Sequence, residues 1–228
     1  MYFKQARSEN FSKSDRPKSA VKYIVVHFTA GNGDTAQNNC IYFAREIVKA
    51  SANYFVDENG VCCSVPWYYP SYHCGGKKYT GAKAPFHGKC TNYNSIAVEL
   101  CSRRNSAGTF YFKEETLENA AAFIAEQMIE FDVPLARVIR HYDVTGKACP
   151  APLVHEREWA RFKKMVEMEV QGMKRYNKLE EIPAGVLRDT IAKLMQEGVV
   201  KGSSDGLNLS HDMVRTLVFM ERMRNADK

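Results

Sequence analysis

Short apolar stretches alternate with longer amphipathic ones through the first 170 residues or so of the chain. Residues 21–31 (VKYIVVHFTAG) and 94–102 (NSIAVELCS) are rich in β-branched residues, which predicts two buried strands. Two more strands are predicted on either side of Asn59-Gly60, a hairpin dipeptide. Residues 114–131 and 156–170 have helical periodicity. Strands interleaved with helices predict an α/β fold, with a mixed central β-sheet flanked by helices.

A second pattern begins after Gly172. Residues 173–183 are polar and are interpreted as a linker, and two amphipathic helices are predicted beyond them. The first covers about 184–197, and the second begins after Ser210, a good N-cap residue. We therefore predict a main domain over 1–172, a linker over 173–183 and a small all-α C-terminal module over 184–228.

A long segment, residues 67–93, lies between the Asn59-Gly60 hairpin and the predicted strand at 94–102, and it shows no periodicity. It is rich in Gly, Lys and Tyr and is predicted to be a loop. Long loops inside compact domains are more often functional than not. Its lysines Lys77, Lys78, Lys83 and Lys89 indicate either a wall of a binding groove or a solvated basic loop.

Composition narrows the classes of partner. The 228 residues carry a net charge of +6, which favours anionic partners such as nucleic acids, membranes and anionic cell-wall polymers. No zinc-finger spacing, Walker loop or basic helix with interleaved aromatics supports nucleic acid, and no stretch is long enough to cross a membrane. The polar, basic start lacks the apolar run of a Sec signal, so we expect synthesis in the cytoplasm and reduced thiols among the seven cysteines.

Candidate chemistry lies at the strand ends. In SIAVEL, Ile96, Val98 and Leu100 share the core face, so Glu99 is predicted on the other face among small residues. His27 is predicted at the end of its own strand, where a lone histidine is more often structural than a ligand. The segment RHYDVTGKACP (140–150) adds His141 and Cys149. Two histidines and a thiolate match a catalytic zinc site, which takes three protein ligands and keeps a fourth position open.

Five motifs occur in order: VVHFTAG, SANYFVDENG, SYHCGG, NSIAVEL and RHYDVTGKACP. Together they resemble the zinc-dependent N-acetylmuramoyl-L-alanine amidases of type 2, the family that includes phage lysozyme-like amidases and peptidoglycan recognition proteins. The resemblance covers about residues 20–170.

The resemblance implies a role for each matching residue. His27, His141 and Cys149 would bind Zn²⁺, Glu99 would be the catalytic carboxylate, and Lys147 would stabilise the oxyanion. A tyrosine used by other branches falls at Ala52, so the catalytic task rests on Glu99. His73 and Asn53 are expected to contact the substrate.

The implied reaction is hydrolysis of the amide bond between N-acetylmuramic acid and L-alanine in peptidoglycan, with the glycan strand and stem peptide as partners. A phage endolysin that acts on the wall after release fits the expected lack of a Sec signal. The alternatives are a non-catalytic peptidoglycan-binding protein of the same fold and a structural-zinc nucleic-acid binder. The absence of any paired CxxC argues against the last.

The C-terminal module resembles one unit of an S-layer homology module, a type that holds proteins to anionic cell-wall polymers. Two helices alone make a poor core, so self-pairing into a homodimer is a further expectation. The alternative is a helical cap packed on the catalytic domain.

Overall fold

The computed structural model describes residues 1–204 and 206–226, with side chains up to Arg224. Three positions of the predicted C-terminal module, 205, 227 and 228, lie outside the described residues. The chain divides into two compact units, Met1–Glu167 and Met168–Lys228.

The first unit is built on a six-stranded mixed sheet. Its strands are β1 (Tyr2–Phe3), β2 (Tyr23–Phe28), β3 (Tyr54–Asp57), β4 (Gly60–Cys63), β5 (Ser95–Leu100), β6 (Arg103–Arg104), β7 (Phe110–Tyr111) and β8 (Val138–Arg140). The order in the sheet is β1-β4-β3-β5-β2-β8, while β6 and β7 pair separately. Only the hairpin pair β3 and β4 is antiparallel within the six-stranded sheet. The predicted mixed α/β fold is confirmed.

Four helices accompany this sheet, and the longer ones follow their sequence patterns closely. They are α1 (Ala36–Arg45), α2 (Glu114–Phe131), α3 (His141–Thr145) and α4 (Glu156–Met173). Helix α1 begins after Thr35, whose side chain accepts a hydrogen bond from the Asn38 amide. Helix α2 covers the predicted range and packs on β2 to β5, whereas α1 packs on β3 and β4.

Both faces of the central strands are buried. Val25 in β2 and Ala97 in β5 are fully buried, and they lie on the same face as His27 and Glu99, where the sequence predicted a surface of small residues around Glu99. Ala97 packs in a cluster with Cys40 of α1, and Val25 packs with Cys74 and Cys90 of the long loop. The expected surface of small residues is therefore covered, and only the strand ends leave room for chemistry.

The segment between β4 and β5 contains no regular helix or strand, as predicted for its central part. One buried side chain, Arg16, holds both ends of this loop. Its guanidinium donates to the carbonyl oxygens of Trp67 at 2.6 Å, Asn92 at 3.0 Å and Ser95 at 2.7 Å. Because burial disfavours the charged form, the pKa of Arg16 falls to about 10.

The second unit has its own apolar core and differs from the expected linker-plus-helices arrangement. The two predicted helices are α5 (Val186–Gln196) and α6 (His211–Ala226). A short strand precedes each helix, β9 (Arg175–Tyr176) before α5 and β10 (Leu209–Ser210) before α6, and the two strands pair antiparallel. Residues 173–183 are not a linker, because Tyr176 and Ile182 are buried in this core with Ile191 and Val214. In the described ranges no helix has the length and apolarity needed to cross a membrane.

Candidate metal centre

Three adjacent strands deliver polar side chains to one edge of the sheet. His27 of β2 and Glu99 of β5 are register partners, so they lie side by side on the same face. On the other side of β2, Val26 pairs with Arg140 of β8, and His141 follows directly as the first residue of α3. The carboxyl ends of parallel strands are the usual place for binding sites in open α/β sheets.

Cys149 reaches the same edge through the turn that follows α3. The helix ends at Gly146, which has a φ of +84° and leaves no room for a side chain against Ala82. The chain then returns, and the Tyr142 amide donates to the Cys149 carbonyl at 2.8 Å. This bond places the thiol of Cys149 beside the first turn of α3.

The three expected ligands converge. Each of His27, His141 and Cys149 offers a ligand atom, and these atoms all lie within 4.8 Å of one another. The Cys149 Sγ is 3.6 Å from His27 Nδ1, and all three residues are buried. Both ring nitrogens of His141 are buried without a hydrogen-bond partner, which is unusual for polar atoms in a native interior. This donor set fits Zn²⁺, which favours imidazole nitrogen and thiolate sulfur.

The electrostatics of the cluster favour uncharged side chains until a cation is present. Burial lowers the pKa of His27 well below its usual value and that of His141 to about 4, so both imidazoles keep a free lone pair. Burial also raises the pKa of the Cys149 thiol to about 12. A divalent cation would reverse this last effect, since it stabilises the thiolate.

Glu99 stands next to the cluster with unsatisfied acceptor capacity. Its Oε1 is 3.9 Å from His27 Nδ1, its Oε2 is buried without a hydrogen-bond partner, and a fifth of the side chain is exposed. Burial raises the pKa of the Glu99 carboxyl to about 7, although the positive charge of Lys147 acts in the opposite direction. A carboxyl group with a pKa near neutrality is suited to both accepting and returning a proton.

Lys147 is exposed and lines an open cavity of about 510 Å³ together with His141 and Thr145. The long loop forms the opposite wall, where Lys77 and Lys78 line the same cavity. The other two loop lysines, at 83 and 89, are not among the lining residues. The part of the loop wall nearest the cluster therefore has the basic character expected of a groove.

Hydrogen bonds tie this loop wall to α3. The Tyr79 amide donates to the Thr145 carbonyl at 2.8 Å, and the Phe86 amide donates to the Asp143 carbonyl at 3.1 Å. The same helix thus positions His141 and the loop wall.

His73 lies behind the cluster rather than on the groove wall. It is only 9% exposed, and its Nδ1 is 3.1 Å from His27 Nε2. Its Nε2 is 3.1 Å from the Ser95 hydroxyl, on the side away from His27. The sequence interpretation did not single out Ser95, although Ser95 shares the strand face of Glu99, and that shared face was the available signal.

Asn53, the other expected substrate contact, is a scaffold residue in this structure. Its side chain is fully buried. Its amide group donates to the Val65 carbonyl at 3.0 Å and accepts from the Ser71 hydroxyl at 2.8 Å and the Ala97 amide at 3.0 Å. With its polar atoms bonded inside the protein, Asn53 holds the loop against β5 and offers no surface to a substrate.

This fold and site define an α/β domain with a His/His/Cys cluster and a neighbouring glutamate at the strand ends. The model of the N-acetylmuramoyl-L-alanine amidase family matches residues 17–152. The chain therefore belongs to the N-acetylmuramoyl-L-alanine amidase family.

Individual relatives agree with this assignment. The chain is 32% identical over 160 residues to N-acetylmuramoyl-L-alanine amidase BlyA of Bacillus subtilis (strain 168), which covers 67% of this chain and 42% of that protein. It is 34% identical over 163 residues to a probable N-acetylmuramoyl-L-alanine amidase of Bacillus licheniformis, covering 67% of this chain and 44% of that protein. The chain thus spans less than half the length of these curated relatives. The structure of PlyL matches in fold, with a TM-score of 0.58, 24% identity, and coverage of 73% of this chain and 96% of that one.

Proposed function

We propose that the first unit hydrolyses the amide bond between N-acetylmuramic acid and the L-alanine of the stem peptide in peptidoglycan, and that it requires one Zn²⁺. The observation that supports this most strongly is the convergence of His27, His141 and Cys149 on a volume with ligand atoms within 4.8 Å, beside Glu99. Family membership and the names of the curated relatives support the same reaction.

His27, His141 and Cys149 would hold the metal. When bound, it supplies a Lewis acid that polarises the scissile carbonyl and acidifies a water. The two neutral imidazoles and one thiolate would leave the centre with one net positive charge. Its ligands are buried, so the surrounding protein limits the solvent that would otherwise screen this charge.

Glu99 would act as the proton carrier. Its ionised carboxylate accepts a proton from the attacking water and then donates it to the nitrogen of the leaving L-alanine. The raised pKa of this carboxyl supports both steps, because the group gains and loses a proton near neutral pH. The ammonium group of Lys147 would stabilise the negative charge that develops on the carbonyl oxygen.

The loop wall supplies a reason for selectivity toward peptidoglycan. Lys77 and Lys78 line the same cavity as His141 and Lys147, so three lysines give this cavity a positive charge beside the metal ligands. Stem peptides carry carboxylates, which this charge would attract. The second unit would hold the enzyme to an anionic wall polymer, and its pairing into a homodimer would raise wall affinity by avidity.

The test is digestion of purified peptidoglycan followed by mass spectrometry of the released fragments. Cleavage of the proposed bond gives glycan strands with free lactyl carboxylates and peptides with a free L-alanine amino group. Chelator treatment should abolish cleavage, and added zinc should restore it. Binding to peptidoglycan without any cleavage by the zinc-loaded chain would instead favour a non-catalytic recognition protein.

A further inference from the structure

A chain of hydrogen bonds runs from the backbone at Thr91 to the back of the candidate metal ligand His27. The Ser95 Oγ lies 2.5 Å from the Thr91 carbonyl oxygen and 3.1 Å from His73 Nε2. His73 Nδ1 then lies 3.1 Å from His27 Nε2. Ser95 is fully buried and His27 is 3% exposed, so protein groups rather than bulk water complete the chain.

The direction of every bond follows from the first. A carbonyl oxygen only accepts, so the Ser95 hydroxyl donates its single hydrogen to Thr91. Its lone pair therefore faces His73 Nε2, and this nitrogen has to carry a hydrogen. In a neutral imidazole the other nitrogen is then the acceptor, so His73 Nδ1 accepts from His27 Nε2.

This bond pattern determines the state of the other ring nitrogen of His27, which faces Cys149. With its hydrogen on Nε2, the ring keeps a lone pair on Nδ1, the nitrogen that lies 3.6 Å from Cys149 Sγ. The Cys74 thiol lies 3.2 Å from His73 Nδ1 and 3.5 Å from the Ser95 Oγ. The single lone pair of His73 Nδ1 is taken by the His27 hydrogen, whereas the Ser95 Oγ has a second lone pair that can accept from the thiol, so the thiol does not reverse the chain.

We propose that Ser95 and His73 are positioning residues that hold His27 in the tautomer whose Nδ1 is free to bind the metal. This inference rests on the proposed zinc site. Without the chain, the His27 tautomer with hydrogen on Nδ1 competes, and that form cannot bind a metal through the nitrogen that faces Cys149. Outer partners of metal-binding histidines typically change metal affinity by about 10- to 100-fold.

The first measurement reports the tautomers directly and uses the metal-free full chain. Long-range proton–nitrogen correlation spectra of histidine-labelled protein distinguish a protonated ring nitrogen from one with a lone pair. We expect both His27 and His73 to carry hydrogen on Nε2 alone. A His27 ring protonated on Nδ1 in the wild-type chain would overturn the proposal.

The second measurement is zinc affinity, by competition with a chromophoric chelator, for Ser95→Ala, His73→Leu and His73→Asn. The alanine and leucine variants should bind zinc about 10- to 100-fold more weakly. Asparagine keeps an acceptor oxygen near the position of Nδ1, so His73→Asn should recover most of the affinity. Ser64→Ala, which removes an equally buried hydroxyl outside the chain, is the matched control and should bind as the wild type does.

The outcomes separate this proposal from the proposed function. Wild-type chain that binds zinc, with Ser95→Ala and His73→Leu binding equally well, would refute the tautomer chain and leave the zinc site intact. A wild-type chain that binds no zinc would refute both. Melting curves of the metal-free variants are the check on folding, and a loss of affinity that His73→Asn does not recover counts against the proposal.

A separate feature of the long loop is a pair of neighbouring thiols, Cys74 and Cys90, that are distant in sequence. The Cys74 Sγ and Cys90 Sγ are 3.6 Å apart, while a disulfide bond joins sulfurs at about 2.0 Å. Both cysteines are buried, and they are among the residues that line an open cavity of about 280 Å³ with Gly75, Gly76 and His87. The segment between them includes Lys77 and Lys78, the basic side chains of the loop wall.

The geometry points to Cys74 and Cys90 as a disulfide-forming site that closes the loop wall on itself. The oxidant class is a low-molecular-weight disulfide. One cysteine thiolate attacks it and releases one small thiol. The second cysteine thiolate then attacks the mixed disulfide, forms the Cys74–Cys90 bond and releases the other small thiol. Two protons and two electrons pass from the protein to the reagent.

The test is incubation of the full chain with oxidised glutathione, followed by alkylation and peptide mapping. A single cross-link between Cys74 and Cys90 is expected, and Cys90→Ser should abolish it. Trypsin cleavage after Lys77 or Lys78 should leave the two fragments joined in the oxidised chain only. Cross-links confined to other cysteine pairs, or stable glutathione adducts without a cross-link, would overturn the assignment.

Discussion

Replacing Glu99 with glutamine should remove most of the turnover and leave the fold and the metal ligands in place. The amide has nearly the same shape, but it cannot accept a proton from water. General acid–base assistance is worth roughly 100- to 10,000-fold in rate, or about 3 to 5 kcal/mol of transition-state stabilisation. We therefore expect kcat of Glu99→Gln on a soluble muropeptide to fall by that factor, with zinc content unchanged.

The same substitution should stabilise the metal-free protein at neutral pH. Burial raises the pKa of Glu99 from 4.5 to about 7, and each unit corresponds to about 1.4 kcal/mol. Between these two values the folded chain holds a proton that the unfolded chain has released. The wild-type free energy of unfolding therefore falls, relative to Glu99→Gln, as the pH rises through this interval. Because a fifth of the side chain is exposed, the difference above pH ~7 is at most about 3 kcal/mol.

Two assays test the predicted effects on turnover and on stability. Urea unfolding of both proteins with chelator, near pH 4.5 and near pH 8, measures the stability difference, and muropeptide hydrolysis with zinc measures turnover. Glu126→Gln, which changes an exposed glutamate of α2, should leave turnover unaltered. Near-normal rates in Glu99→Gln would refute its role as the proton carrier. A stability difference that does not change with pH would refute the argument from burial.

Three further changes test the rest of the site and the second unit. Cys149→Ser should lower zinc content well below the roughly one ion per chain expected of the wild type, measured by metal analysis after dialysis, and Cys63→Ser should not. Lys147→Ala should lower kcat roughly a hundredfold with zinc retained, by loss of oxyanion stabilisation, whereas Lys83→Ala, outside the cavity lining, should have little effect. A chain ending at Met173, after α4, should still hydrolyse soluble muropeptide but bind insoluble walls poorly; equal binding by this chain would refute a targeting role for the second unit.

The sheet and the long helices could be predicted because their burial leaves a periodic trace. Strand β5 is a run of apolar and small residues between turn formers, and α2 repeats apolar residues at helical spacing over its whole length. The same alternation that put Glu99 opposite the core face also put it beside His27, because the two strands are parallel neighbours in register. The local pattern and the strand pairing therefore both place Glu99 on the side of the sheet that holds His27.

The interior of the long loop left no such trace. Its conformation depends on hydrogen bonds to distant backbone groups, such as those that Arg16 donates to Trp67 and Asn92. A buried guanidinium in a basic N-terminal segment looks the same in sequence as an exposed one. For the same reason Tyr176, in a polar stretch, gave no sign that it belongs to the core of the second unit.

In the candidate site, the expected metal ligands could be predicted from the sequence, but the residues behind them could not. The residues that would bind the metal could be predicted, because two histidines and a cysteine together make a donor set suited to zinc and stand in motifs that resemble a known family. The residues behind them could not, because serine and histidine form a directional chain only when Ser95 has already given its hydrogen to Thr91. That donation depends on the turn before β5, and this turn is held by Arg16, whose guanidinium also bonds Tyr93 and Ser95. The tautomer proposed for His27 thus depends, through His73, Ser95 and the turn at Thr91, on Arg16, whose sequence context gives no sign of this role.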